Sequence, residues 1–136
     1  RLTKLRDYFI EKISDFKFLI NGDLQNRLPN NINITIPNIP SDLLVIELSE
    51  KGVMAGAKSA CQSGDGKASY VIAALRKMQG RTLNNEICEL RNSSQKHNEI
   101  DGSLRFSLGK ETTKKDIDYT VKVLLEILTK LKKWYN

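Results

Sequence analysis

The order of apolar and polar positions divides the chain into helical and extended stretches. Leu2, Leu5, Phe9 and Ile13 recur at steps of three and four, which lines one face of an amphipathic helix over residues 1–15. FKFLI (16–20) is short and apolar and reads as a strand, and NGD (21–23) as a turn. In NINITI (31–36), Ile32, Ile34 and Ile36 alternate with polar residues. That period of two, carried by β-branched side chains, predicts a strand that Pro37 and Pro40 close. Residues 41–51 predict a helix capped by Ser41 or Asp42 and stopped by Gly52. VMA (53–55) reads as a short strand. A helix over 67–78 would face Val71, Ile72, Leu75 and Met78 inward. SLRFSLG (103–109) alternates Leu104, Phe106 and Leu108, again a strand. Thr113 and Asp116 fit a capping box ahead of a last helix over 114–134. Its stripe of Ile117, Val121, Leu124, Leu125, Leu128 and Leu131 reads as core.

Few, short strands between helices are packed most economically as a small sheet covered mainly on one face by helices. The expected class is α/β in the broad sense (α+β), with an antiparallel or mixed sheet, because a doubly wound fold needs longer βαβ units. With 136 residues the chain is expected to form a single domain over 1–136 with a real core. The polar, Asn-rich stretch 79–102 is expected to be an exposed insertion. The first residue is not Met, so a processed product or a part of something longer is expected.

Composition narrows the partners. Apolar residues make up 40% and charged residues 28%, a balance ordinary for soluble domains, and no apolar run approaches the roughly 20 residues that span a bilayer. The net charge of +6 is spread among acids, without RNA-binding aromatics or zinc-finger spacing. We therefore expect no nucleic-acid and no membrane partner. Two cysteines, 27 positions apart and outside any C-x-x-C, fit a reducing cytoplasm better than a disulfide framework.

Cys61 lies in AKSACQSGDG (57–66), among alanines, serines and glycines that fill a core poorly. A thiolate is the strongest nucleophile among side chains near neutral pH, and its reactivity depends on pKa and access. Lys58 and Lys67 would favour the thiolate, and small neighbours would let the loop move. From the residues alone, an ordinary free cysteine remains the competing reading. Arg105 lies mid-strand on the face opposite Leu104 and Phe106. It is either a surface residue of a free sheet face or a carboxylate-binding group, since its planar fork suits carboxylates. His97 and Cys88 sit in the polar stretch and read as a surface histidine and a free or partly buried thiol. The chain carries no Walker motif, no G-x-G-x-x-G and no H-E-x-x-H.

LPNNINITI (28–36), SACQSG (59–64), SYVIAAL (69–75) and GSLRFSLGKETTKKDIDYTVKVL (102–124), in that order and spacing, resemble the C-terminal part of a cysteine desulfurase. These are pyridoxal-phosphate enzymes of the class V aminotransferase, fold-type I group, and the likeness is nearest to the iron–sulfur assembly branch. The resemblance implies the small domain of such an enzyme. Cys61 would be the catalytic cysteine that takes sulfur from L-cysteine as a persulfide, leaving L-alanine, and would serve transiently as an Fe–S ligand. Arg105 would pair with the substrate carboxylate, and Asn33 falls in the family's N-x-N-I strand as a further substrate-binding residue. A scaffold protein or sulfur carrier would accept the sulfur, for iron–sulfur clusters or tRNA thiolation, and the full-length enzyme would be a homodimer.

The chain departs from the family at Lys58, where Gly is usual, near Ala68, where a Pro is usual, and in the length of 79–102. The cofactor lysine and its companions have no match here. The chain is therefore expected to be the C-terminal domain alone, inactive by itself. The competing reading is a non-enzymatic persulfide carrier or scaffold-docking module.

Overall fold

A computed structural model of the chain describes residues 1–16, 18–57, 71–72, 74–75 and 101–135, with the backbone alone at 101, 102, 134 and 135. Helix α1 spans Leu2–Ile13, and strand β1 is only Leu19–Ile20. Strand β2 spans Asn31–Pro37, helix α2 Ser41–Glu50, strand β3 Asp101–Ser107 and helix α3 Lys114–Tyr135. The strands form one antiparallel sheet in the order β1-β2-β3. The sheet is small, antiparallel and backed by helices, as the patterning predicts.

Alternation assigns the two faces. In β2, Ile32, Ile34 and Ile36 are buried, and across the ladder Ile32 meets Phe106 and Ile34 meets Leu104. Phe9 of α1 meets the Phe106 ring edge-on, with centroids 5.1 Å apart. α3 contributes Ile117, Val121, Leu124, Leu128 and Leu131 to the same core, and Leu125 is partly buried beside it. Val123 and Ile127 are buried as well, so α3 is covered over a wider arc than one stripe. The remaining positions of β2 and β3, Asn31, Asn33, Thr35, Ser103, Arg105 and Ser107, lie on the opposite, polar face.

The capping box forms as expected. The Asp116 carboxylate accepts from the Thr113 N–H and hydroxyl, both at 2.8 Å, and these bonds hold its pKa below the ordinary carboxylate range.

Four expectations need correction. The N-cap of α2 is Pro40, with no side-chain cap bond, and Ser41 is a buried first helical residue rather than the cap. Pro fixes φ and has no N–H to leave orphaned, so it opens a helix without a polar side chain. Residues 53–55 form no strand, and the pairing seen next to them among the described residues is a single bridge at Gly56. Val71 is exposed while Ile72 is buried. Finally, β3 begins at Asp101, so the stretch assigned as insertion gives its last two residues to the sheet, where Asp101 pairs with Pro37 and Gly102 with Ile36. The rest of 79–102, with Cys88 and His97, lies outside the described residues, as does Met78.

Among the described residues no helix is long and apolar enough to cross a membrane.

Candidate functional site

The polar face of the sheet forms the floor of a cleft of about 550 Å³. Asn33, Ser103 and Arg105 line it from the strands, Asn21 and Arg27 from the loop between β1 and β2, and Ala57 from the segment that leaves α2. Ile72 and Leu75 add apolar surface. The sheet's alternation thus turns Asn31, Asn33, Ser103 and Arg105 away from the core and toward one shared space.

Two of the residues singled out from sequence meet here. Asn33 and Arg105 are direct cross-strand partners. The backbone of Arg105 is engaged on its other side: Gly56 N–H donates to Arg105 O at 2.9 Å, and Arg105 N–H donates to Gly56 O at 2.7 Å. Asn33 O likewise faces away, accepting the Asn21 N–H at 2.8 Å. Both residues therefore turn their ladder groups away from each other. That makes them a non-hydrogen-bonded pair, the kind whose Cα atoms approach to about 4.5 Å and whose side chains lie closest.

The Arg105 side chain is exposed, and no carboxylate of the described residues pairs with it. It lies over Gly56. A Cβ built there would stand 3.1 Å from Nη2 and 3.6 Å from Nε, so the missing side chain gives the guanidinium its room. The third residue, Cys61, lies outside the described residues, as do Lys58 and Lys67. The described chain toward it ends at Ala57, one residue beyond the bridge to Arg105.

Sequence reasoning missed the groups that hold the pair in place. Asn21 Nδ2 donates to Asn33 Oδ1 at 2.7 Å and to Thr35 Oγ1 at 2.8 Å, and the Ser103 hydroxyl reaches Asn33 Oδ1 at 3.4 Å. Asn21 reads as part of a turn in NGD, and Gly22, with φ of +88°, does make one. The signal for its second role is its place one step beyond Ile20, where β1's register with β2 sets it beside Asn33.

The loop wall is braced from within. Arg6, 6% exposed, donates to the carbonyls of Arg27 and Leu28, both at 3.3 Å, and pairs with Asp7. Asp23 accepts the N–H groups of Gln25 and Asn26 at 2.7 Å each, and those bonds lower its pKa. Arg27 donates to Asn21 O at 3.0 Å, and its pKa is lowered by burial and by repulsion from Arg6. The cleft is therefore lined by guanidinium, amide and hydroxyl groups, with Asp23 at its rim, a set that suits a small anion such as a carboxylate.

No family model matches the chain. Over 97% of its length it is 38% identical to a cysteine desulfurase IscS of Dictyoglomus turgidum, and this stretch is 29% of that protein. Against a cysteine desulfurase IscS of Methanosarcina thermophila it is 36% identical, over 96% of the chain and 28% of the relative. The chain thus spans under a third of the length of the curated relatives it matches. Among solved structures it superposes on a NifS-like protein with a TM-score of 0.67 at 23% identity, over 96% of this chain and 28% of that one. A NifS-like protein from Rickettsia africae ESF-5 gives 0.67 at 20%, over 94% and 28%. At those identities the structural likeness speaks for the fold alone.

Proposed function

Starting from a chain that is homologous over nearly its whole length to the C-terminal portion of the cysteine desulfurases, we propose that it supplies the sulfur-accepting thiol and the carboxylate grip of such an enzyme. Arg105 holds the carboxylate of L-cysteine, with Asn33 beside it. Cys61 attacks the substrate's sulfur. The bond between that sulfur and the substrate's β-carbon breaks, its electron pair stays with the carbon, and a proton completes the methyl group. L-cysteine and the Cys61 thiol thus become L-alanine and a Cys61 persulfide, with atoms and electrons balanced. The thiolate form of Cys61 is the attacking nucleophile.

The observation that carries this reading is the bridge between Gly56 and Arg105. It anchors the segment leading to Cys61 at the backbone of the residue that grips the substrate. Cys61 follows Ala57 by four residues, a span that reaches at most roughly 14 Å at ~3.3–3.6 Å per residue. Cys61 thus follows the anchored segment closely in sequence, which supports a role for its thiol beside the group that Arg105 holds.

The relatives' family uses pyridoxal phosphate, an electron sink that labilises bonds at the amino acid's carbons. The described residues of this cleft suit a carboxylate rather than the seat of that cofactor. We assign the cofactor and its lysine to the portion of the relatives that this chain does not span. The persulfide passes to a scaffold protein or sulfur carrier, for cluster assembly or tRNA thiolation, with Cys61 a transient ligand of the nascent cluster. The working enzyme is a cytoplasmic homodimer.

Alanine release from L-cysteine tests the reading. In a full-length enzyme carrying this chain, Cys61→Ser abolishes alanine formation. Arg105→Ala raises KM for L-cysteine by about two orders of magnitude, the worth of a bidentate charged contact. The 136 residues alone, given pyridoxal phosphate, release no alanine. Turnover by them would overturn the division of labour, and an unchanged KM in Arg105→Ala would remove the carboxylate grip. A persulfide on Cys61 without any alanine formed would favour a carrier module instead.

A further inference from the structure

An asparagine beside an arginine has two ways to face it. Turned one way, its carbonyl oxygen bonds the guanidinium and competes with any carboxylate. Turned the other way, its NH2 becomes a further donor on the same side as the guanidinium. Asn33 is the close cross-strand partner of Arg105, so its orientation decides which of these the cleft offers.

The structure resolves that choice through neighbours outside the gripping pair. Asn33 Oδ1 accepts from Asn21 Nδ2 at 2.7 Å and from the Ser103 hydroxyl at 3.4 Å. Asn21 is itself held: its Nδ2 also donates to Thr35 Oγ1 at 2.8 Å, and the Thr35 hydroxyl lies 3.2 Å from Asn21 Oδ1. Its main chain is fixed twice, by its N–H on Asn33 O and by Arg27 Nη2 on its carbonyl at 3.0 Å. Thr35 is fully buried and Ser103 is 5% exposed, so this network stands on side chains that water does not freely loosen. Among the described residues Asn33 Nδ2 has no acceptor, and Asn33 lines the cleft.

We propose that Asn21 is a positioning residue for substrate recognition: with Ser103 it holds the Asn33 carbonyl oxygen away from Arg105, so that the Asn33 NH2 joins the guanidinium in binding the substrate carboxylate. This rests on the carboxylate-binding reading of Arg105 given above. It assigns to the NGD turn a part in specificity, since a further donor beside the guanidinium favours a carboxylate over a cation at that point.

The test is a titration of the 136-residue chain with L-alanine, a carboxylate probe, followed on the side-chain NH signals of Arg105 and Asn33. In the native chain both sets move together, and Asn33 NH2 protons show cross-relaxation to the Arg105 side chain. Asn21→Asp replaces the donor by an isosteric acceptor. Asn33 then turns its NH2 to residue 21 and its oxygen to Arg105, the cross-relaxation is lost, and L-alanine affinity falls about tenfold, the worth of one hydrogen bond to a charged group. Asn21→Ala, which removes the donor without adding charge, lowers affinity in the same direction and serves if the aspartate variant does not fold. Added to Asn33→Ala, Asn21→Asp has no further effect. If the loss persists in that double variant, the new charge acts directly and the positioning role is overturned. If Arg105 responds to L-alanine but Asn21→Asp and Asn21→Ala bind as tightly as the native chain, the role is overturned while the carboxylate grip stands. If Arg105 does not respond at all, the grip itself falls and this inference with it.

Discussion

On one face of β2 and β3, Ile32, Ile34, Leu104 and Phe106 are at most 4% exposed and find their neighbours in α1, α2 and α3. On the other, Asn33, Ser103 and Arg105 find theirs in an amide, a hydroxyl and an open cleft. The two sets alternate along the same backbone, one residue apart. Because adjacent side chains point to opposite faces, stability and recognition are written into the same strands at odd and even positions. A change at one position is expected to register in unfolding, and a change at the next in binding.

Leu104→Ala probes that separation with the largest effect. Leu104 is fully buried, and truncating it lowers unfolding free energy by about 3 kcal/mol through lost transfer and the cavity left behind. Urea unfolding with an unchanged slope checks it, and a loss below about 1 kcal/mol would mean that this face does not hold the fold. Its neighbour Arg105 gives the opposite result. Arg105→Ala leaves stability within about 0.5 kcal/mol, as exposed positions do, while L-alanine binding is lost.

Gly56→Ala sharpens the contrast. The new Cβ meets Nη2 at 3.1 Å, the far end of a flexible side chain, so the guanidinium swings aside. The unfolding midpoint hardly moves, and carboxylate affinity falls several-fold.

The smallest effect belongs to neither face. Thr113→Ala removes the cap of α3 at a cost of about 1 kcal/mol and leaves the cleft unaltered. It also changes the acid limb of stability. The Asp116 carboxylate is held below its ordinary pKa by the Thr113 N–H and then by its hydroxyl. Its contribution is therefore present above the ordinary carboxylate value and is lost as pH falls through the lowered one. The stability gap between native and Thr113→Ala chains should narrow at strongly acidic pH, leaving the part due to the Asp116 N–H bond to the Thr113 hydroxyl. A difference that stays constant across that range would contradict the capping account.

What was legible in the sequence followed from periodicity. The alternation of Ile32, Ile34 and Ile36, and of Leu104 and Phe106, marks the two strands and places Arg105 on the far face from the core. The capping box was readable because both partners lie within four residues. The rest depended on contacts between distant segments. Arg6 reads as a polar position on α1 yet is buried, because loop carbonyls at 27 and 28 arrive to accept its N–H groups. Gly56 reads as flexible loop, and only the fold reveals that it faces Arg105. Asn21 reads as turn residue, and its bond to Asn33 spans a hairpin whose register the sequence leaves open. Asp101 and Gly102 look polar and loop-like, but strand pairing with Pro37 and Ile36 draws them into β3. Cys61, the proposed sulfur acceptor, was legible only by its small neighbours and by family resemblance.

The contact at Gly56 has a further effect, on how the molecule behaves in a crowd. Among the described residues β3 is the outermost strand of three, and the margin of a sheet is a template on which another chain can lay down a strand. Gly56 occupies the middle of that margin, taking up both main-chain groups of Arg105. Its bridge takes the place on that margin where another strand would have to pair with Arg105. The same glycine that leaves room for the guanidinium thus blocks the addition of another strand at Arg105.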